Sequence, residues 1–179
     1  TRNSIFYWAK QDVPDAYHAL RVTTLEYHIS ESIRTSTEFD FALVLYQLYR
    51  DNYICSNIKN GTWYKFRNHR WEEDKGKSIR MTISKEMHAF YQKRVDEEME
   101  KLVDLSPESE EYETKKKECN YLSKITNSLK RTQTKNNILR EAMEIFYDNM
   151  FEVSMDDNKY LMCFTNGVVD FKKKEFRNG

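Results

Sequence analysis

The sequence predicts an α+β fold: a mainly helical domain with two small antiparallel β-hairpins. Apolar residues recur at three- and four-residue spacing over several long segments, as they do on the buried face of a helix. Two other segments alternate apolar and polar residues around the pairs Asn60-Gly61 and Asn166-Gly167, which is the strongest local signal for a hairpin. Only four glycines and two prolines are present, and nearly all lie where an element should end.

Six segments are predicted to be helical from the spacing of their apolar residues. They are residues 15–20, 23–36, 39–51, 78–102, 106–131 and 135–147. Thr37 is predicted to cap the third, with Asp40 three residues later answering the cap. Ser106 and Pro107 are predicted to begin the fifth, the serine as N-cap and the proline as first helical residue. Thr134 is predicted to cap the sixth.

The two longest predicted helices are expected to fold back on each other as an antiparallel pair, joined through residues 104–106. Part of this pair is expected to project from the core, because residues 97–118 contain few apolar side chains. The β-hairpins are predicted around residues 54–67 and at residues 160–171. The sequence leaves open whether these hairpins are separate or joined into a single sheet.

The bulk composition limits the classes of protein to which this chain can belong. Its 179 residues suffice for one good-sized domain or for two small ones that share a core. The 29 basic and 29 acidic residues give zero net charge, which argues against a uniformly basic nucleic-acid-binding protein. The charges are segregated along the sequence, so an anion-binding surface is expected to be a local patch.

Three cysteines, Cys55, Cys119 and Cys163, show no metal-ligand spacing and are predicted to be buried, reduced thiols. No apolar run approaches the roughly 18–20 residues that a membrane span requires, so no membrane contact is expected. The sequence begins at Thr1 without a methionine and stops at Gly179, which is the pattern expected of a fragment of a longer protein.

No reaction centre is predicted within these residues. The chain lacks a P-loop and the glycine pattern of a dinucleotide-binding fold. His69 is a formal candidate for a general base, but its sequence neighbours Asn68 and Glu72 supply no nucleophile or metal. We therefore expect no catalytic residue, no metal site and no cofactor in this chain.

Two clusters of basic residues are the candidate nucleic-acid-binding residues. In the first hairpin, cations are interleaved with aromatic rings, so that phosphates can meet charges while bases stack on rings. This cluster comprises Lys59, Lys65, Arg67, His69 and Arg70. At the junction of the fifth and sixth helices, a helix N-terminus offers free amides to a phosphate. This second cluster comprises Lys124, Lys130, Arg131 and Lys135.

Each cluster also has an ordinary structural interpretation. The hairpin cations can be merely solvated on a half-buried ribbon, and Lys130 and Arg131 can neutralise a helix C-terminus. Tryptophans in short strands most often pack in a core. At least one of Trp63 and Trp71 is therefore expected to be buried structurally rather than stacked on bases.

Several motifs resemble the domain that precedes the ATPase in poxvirus-type and giant-virus primase-helicases of superfamily 3. The similar segments keep the family's order and span nearly the whole chain, although residues 96–130 carry none. They are Ile5-Phe6-Tyr7-Trp8-Ala9-Lys10, Tyr53-x-Cys55, Trp63-Tyr64-x-Phe66-x-x-His69-Arg70-Trp71, Thr134-Lys135-Asn136-Asn137-Ile138 and the run from Tyr160 to Phe171.

The resemblance implies a non-catalytic module of a viral DNA-replication primase-helicase. Such a module would couple the primase to a hexameric ATPase and contact single-stranded or forked DNA. Residues 1–36 would lead in from the primase side, and residues 37–179 would form the pre-helicase domain, together one compact unit. The alternative is a purely structural oligomerisation or collar element without DNA contact.

The resemblance also implies the surroundings of the module. ATP and Mg²⁺ would belong only to the ATPase downstream of it. Its partners would be DNA, the adjacent primase and ATPase domains of the same chain, and further copies in a homo-hexamer. The expected location is the viral replication factory in the host cytoplasm.

Overall fold

The computed structural model describes residues 8–9, 11–155 and 157–177, and it confirms the α+β class. The helical elements are α1 (Pro14–Thr35), α2 (Glu38–Tyr49), α3 (Lys77–Thr82), a π turn (Ile83–Met87), α4 (His88–Val103), α5 (Glu110–Ser128), α6 (Thr132–Ile145) and α7 (Phe151–Ser154). The strands are β1 (Tyr53–Asn57), β2 (Thr62–Arg67), β3 (Arg70–Glu73), β4 (Leu161–Phe164), β5 (Gly167–Asp170) and β6 (Glu175–Arg177). They form two separate antiparallel sheets, in the order β1-β2-β3 and β4-β5-β6. Each predicted hairpin therefore carries a third strand.

The first two predicted helices are one continuous helix, α1, with Pro14 as its first residue. The sequence predicted a break near residue 22, but Thr23 and Thr24 donate hydroxyl hydrogen bonds to carbonyls one turn earlier. Such back-bonding lets polar residues remain inside a helix. The start of α2 follows the prediction, since the Thr37 side chain accepts a hydrogen bond from the Asp40 amide at 3.3 Å.

The first sheet differs from the prediction at its Asn-Gly pair. Asn57 pairs with Thr62, so residues 58–61 form a four-residue loop after a bulge in β1. Only Gly61 in this loop has a positive φ, at 62°, whereas the predicted two-residue turn needs two such residues. The Asn57 side chain accepts a hydrogen bond from the Asn60 amide at 2.9 Å. This side-chain hydrogen bond stabilises the longer loop.

A long interrupted helix runs from α3 through the π turn into α4. Its buried apolar residues recur at strict four-residue spacing; they are Ile79, Ile83, Met87, Tyr91 and Val95. Five such positions in a regular α-helix would spread over about 160° of its surface. The π turn accommodates one additional residue and brings the later side chains back to the core. As a result Tyr91 is fully buried, whereas its neighbour Phe90 is 46% exposed.

Deleting the exposed Lys85 from the π turn is expected to leave the fold intact. The shortened segment can close as a regular α-helix that keeps the same apolar residues on one face. We expect the free energy of unfolding to change by less than about 1 kcal/mol. Deletion of the equally exposed Lys93, which lies in regular helix, rotates Val95 away from α5 and is the destabilising control. Urea denaturation followed by circular dichroism distinguishes the two, and equal losses would contradict this account of the π turn.

Helices α4 and α5 pack antiparallel, as predicted, and an ion pair joins Glu98 to Lys115 at 2.5 Å. None of residues 96–118 is fully buried, so the distal end of the pair projects from the core. Helix α5 begins three residues later than predicted. Ser109, rather than Ser106, accepts the capping hydrogen bond, which comes from the Tyr112 amide.

The start of α6 also differs from the prediction. The helix begins at Thr132 with Arg131 at its N-cap position, so Thr134 lies within the first turn and does not cap it. Lys130 and Arg131 consequently lie between two helices rather than in the last turn of α5. The helix runs to Ile145, and Ile138 and Ala142 are buried as predicted.

The main core joins α1, α2, the long interrupted helix, the C-terminal end of α5, α6 and one face of the first sheet. Trp63 is its largest buried side chain and is 1% exposed. Cys55 and Cys119 are buried as predicted, but Cys163 on β4 is exposed, contrary to the prediction. None of the described helices is long and apolar enough to cross a membrane.

Candidate nucleic-acid interface

A tight turn between β2 and β3 positions the most concentrated group of predicted site residues. Arg67 pairs with Arg70 in the strand register, so Asn68 and His69 form a two-residue turn. Their φ angles are 50° and 64°, which is the left-handed conformation at both central positions of a type I′ turn. Asparagine and histidine are among the few non-glycine residues enriched in this conformation.

The turn places two like charges directly opposite each other. Cross-strand partners lie on the same face of a sheet, and a pair of like charges there is unfavourable. Glu72 compensates Arg70, with an Nη2–Oε1 distance of 2.8 Å. Within the described part of the chain, Arg67 has no acidic side chain at ion-pair distance. The arrangement therefore leaves a guanidinium group available to an external anion.

Lys65 extends this group along β2. It lies two residues before Arg67, and therefore on the same face of the strand. Its Nζ atom is 5.2 Å from the centre of the Tyr53 ring, within the range of a cation–π interaction. We call Lys65, Arg67 and Arg70 the basic strip. Glu72 pairs in register with Lys65 and is the acidic residue beside this strip.

The other predicted residues of the first hairpin are less close to the strip. His69 is half-buried in the turn itself. Lys59 is exposed in the loop at the opposite end of β2. Because a strand rises about 3.4 Å per residue, Thr62 and Arg67 are about 17 Å apart. The structure thus separates Lys59 from the basic strip, although the five residues lie within twelve positions of the sequence.

The second predicted cluster lies at a different end of the molecule. Lys124, Lys130 and Arg131 are exposed, and Lys135 is half-buried. They surround the start of α6, where the Asn137 side chain donates a hydrogen bond to Glu38 at 3.1 Å. The first sheet lies instead at the C-terminal end of α6, where the Trp63 and Phe146 rings are 5.4 Å apart. These 14 residues of helix separate the two clusters by about 21 Å.

Beside the second cluster, His88 is 9% exposed and its Nε2 atom has no hydrogen-bond partner within the described residues. Burial lowers the pKa of His88, and the charge of Lys130 lowers it further. The imidazole is therefore uncharged at neutral pH. Across the described ranges, no group of three histidine, cysteine or acidic side chains is arranged to hold a metal ion.

Tyr53 lies beneath Lys65, but the other large aromatic residues of the first sheet are engaged in packing. Trp63 is buried in the core, as the sequence predicted for at least one tryptophan. Phe66 and Trp71 occupy the face opposite the basic strip, with ring centres 5.3 Å apart. Trp71 also contacts Phe151 of α7 at 5.1 Å. The strip can therefore bind phosphates, while these rings serve mainly to pack α7 on the sheet.

Sequence reasoning missed two contributors to the site. Tyr53 lies beneath Lys65 because the two residues are cross-strand partners. Glu72 neutralises Arg70 because both lie on β3, two residues apart and on one face. Alternation within Arg70-Trp71-Glu72 was the signal that could have revealed the ion pair.

The family described as "D5 N terminal like" matches residues 42–179 of this chain. The chain is 32% identical over 183 residues to "Putative helicase L207/L206" of Acanthamoeba polyphaga mimivirus. It is 24% identical over 209 residues to "Putative helicase 022R" of Frog virus 3 (isolate Goorha). Both alignments cover 100% of this chain but only 18% and 21% of those relatives.

A shorter similarity involves "Putative helicase 121R" of Invertebrate iridescent virus 3, which is 36% identical over 58 residues, or 32% of this chain and 6% of that protein. This chain thus spans about a fifth of the length of the two relatives that it matches throughout. The family match covers more than three quarters of the chain and includes both sheets. The chain therefore belongs to the D5 N terminal like family.

Proposed function

We propose that this chain is a non-catalytic module of a viral DNA-replication primase-helicase that contacts single-stranded or forked DNA through its basic strip. The observation that carries this proposal is the pairing of Arg67 with Arg70 across a two-residue turn. Like charges opposed in a sheet are unfavourable; Glu72 compensates Arg70, and the Arg67 guanidinium group can bind a phosphate with two parallel hydrogen bonds. The names of the relatives support a helicase context.

In this proposal the module couples an adjacent primase to an adjacent hexameric ATPase. Residues 1–36 lead in from the primase side. ATP and Mg²⁺ belong to that ATPase and not to this chain. The assembly works in the replication factory of the host cytoplasm. The zero net charge of the chain means that DNA contact depends on the local strip, because long-range attraction from the whole domain is weak.

Charge reversal of the strip tests the proposal. The variant Arg67→Glu with Arg70→Glu is expected to weaken binding of a fluorescently labelled oligo-dT by at least about tenfold at low salt, since phosphate contacts dominate the affinity. Fluorescence anisotropy at increasing salt measures the effect. The logarithm of the wild-type binding constant should fall linearly with the logarithm of salt concentration, and the variant should show a shallower slope.

A matched control reverses two exposed lysines on the helical pair, Lys93→Glu with Lys117→Glu. It changes the net charge equally but lies far from the turn, and it should bind as the wild type does. Equal losses in both variants would show that only net charge matters and would contradict a site at the strip.

One observation favours a different function, that of an assembly element without DNA contact. Leu20 and Tyr27 lie seven residues apart along α1 and are 68% and 61% exposed, and Val13, at the N-cap position seven residues before Leu20, is 53% exposed. Residues at this spacing share one face of a helix, so α1 presents an apolar stripe to a neighbouring domain or subunit. Wild-type protein that binds no oligonucleotide at any salt concentration would support this second function.

A further inference from the structure

The second sheet exposes a row of large apolar side chains on one face. In register, Met162 pairs with Val169 and Val169 with Phe176, and the Phe171 amide donates to the Tyr160 carbonyl at 2.8 Å. Alternation along the strands therefore places these side chains and Phe164 on the same face. The exposed members are Tyr160 at 45%, Met162 at 49%, Phe164 at 45%, Phe171 at 52% and Phe176 at 53%.

The opposite face of this sheet carries its two most buried side chains. Val168 and Asp170 point to that opposite side and are only 7% and 8% exposed. On the open face, Gly167 has no side chain, and the Phe176 ring lies over it. A Cβ atom on Gly167 would approach that ring and the Arg177 carbonyl oxygen to 2.5 Å. Four aromatic rings therefore occupy a shallow surface that no other part of the described chain covers.

Cations line the rim of this aromatic face. Residues 157–177 contain five basic and three acidic residues, and Lys172, Lys173 and Lys174 follow one another in the β5–β6 loop. Asp170 accepts hydrogen bonds from the amides of Lys172 and Lys173 at 2.9 and 3.0 Å. Its carboxylate is thus engaged on the inner side and fixes the loop. At another edge, the Lys159 Nζ atom is 5.4 Å from the centre of the Tyr160 ring.

We propose that this face of the second sheet is a stacking platform for the bases of single-stranded nucleic acid. Exposed aromatic rings on a small sheet accept bases whatever their sequence, while lysines at the rim bind the phosphates. A purely apolar protein partner would gain nothing from the three consecutive lysines at the rim. The inference rests on the proposed function, since it assumes contact with nucleic acid, and deepens it by assigning base contact to a second surface.

The platform predicts a preference for single strands, because a duplex buries the faces of its bases within its own stack. Binding should therefore require bases as well as phosphates. An abasic oligonucleotide of the same length supplies the same phosphates without anything to stack. Wild-type protein is expected to bind oligo-dT at least about fivefold more tightly than the abasic strand. This ratio corresponds to the loss of one base–ring stacking interaction at the lower end of its usual energy range.

The decisive variant is Phe171→Leu with Phe176→Leu, which keeps apolar bulk and removes two π faces. It is expected to weaken oligo-dT binding by about tenfold or more in the anisotropy assay and to leave abasic binding unchanged. The matched control is Phe39→Leu with Phe90→Leu, at helical positions that are 50% and 46% exposed. Circular dichroism and amide NMR spectra verify that the second sheet remains folded, and Phe171→Leu alone serves if the double variant disturbs β6.

The outcomes separate this inference from the proposed function. If the leucine variant binds oligo-dT like the wild type while the Arg67→Glu, Arg70→Glu variant does not, the platform is wrong and the basic strip stands. If the leucine variant alone loses affinity, the platform stands and the strip does not. Wild-type protein that binds no oligonucleotide overturns both. Sedimentation showing a wild-type dimer that the leucine variant loses would assign the face to a second copy of the chain and overturn the platform.

Discussion

Replacing Trp63 by alanine is expected to lower the free energy of unfolding by about 3–5 kcal/mol. The indole is 1% exposed and packs edge-on against Phe146 at 5.4 Å. The backbone of Gly76 lies so close that a Cβ atom there would be 3.0 Å from Trp63 Cδ1. The site cannot collapse easily, because a strand, α6 and the left-handed Gly76 fix its walls. The lost contacts therefore leave a cavity rather than a rearranged core.

Urea denaturation followed by far-ultraviolet circular dichroism measures this loss without depending on tryptophan fluorescence. Trp71→Ala provides the matched control, because Trp71 lies on the other face of the same sheet and is only half-buried against Phe66 and Phe151. Its removal should cost clearly less than removal of Trp63. Equal losses would mean that the two faces of the first sheet contribute equally to the core.

The sequence predicted those elements that depend on local chemistry. Thr37 caps α2 as expected, because the cap requires only a hydroxyl and an amide three residues apart. The antiparallel pair of α4 and α5 followed from the short connection at residues 104–106. Its projecting end followed from the scarcity of apolar residues in residues 97–118. The resemblance to a viral pre-helicase domain is confirmed at the level of the family.

The third strand of each sheet was missed because neither is marked by a glycine. The turn before β3 uses Asn68 and His69 in the left-handed conformation, which histidine adopts less often than glycine. The sequence assigned both Asn-Gly pairs to two-residue turns. The structure instead has a four-residue loop that ends at Gly61, and it places Gly167 at the start of β5, because Phe164 pairs with Gly167 across Thr165 and Asn166.

The candidate site shows why charge clusters in a sequence are incomplete evidence for a surface. Lys59 and Arg67 are eight residues apart, yet they lie at opposite ends of β2. Lys65, Arg67 and Arg70 share one face only because the register pairs Arg67 with Arg70. The register depends on long-range pairing and packing, so sequence spacing alone could not separate the strip from its neighbours.

Removing the Ser32 hydroxyl by alanine substitution is expected to destabilise the protein by about 1–3 kcal/mol. Ser32 Oγ donates to the Ile29 carbonyl at 2.7 Å and therefore accepts from the Tyr91 hydroxyl at 2.5 Å. Burial raises the pKa of Tyr91, so the phenol remains a proton donor at neutral pH. Without Ser32 this donor is left in the core without a partner, and an unsatisfied buried group bears its full desolvation penalty.

Tyr91→Phe is expected to cost less, about 1 kcal/mol, because Ser32 keeps its hydrogen bond to the Ile29 carbonyl. In the double variant no polar atom of the pair remains to be desolvated. Its cost should fall below the sum of the two single losses by at least about 0.5 kcal/mol, the threshold for coupled neighbours. Urea denaturation of the wild type and the three variants completes this double-mutant cycle. Additive losses would show that the hydroxyls of α1 and α4 do not depend on each other.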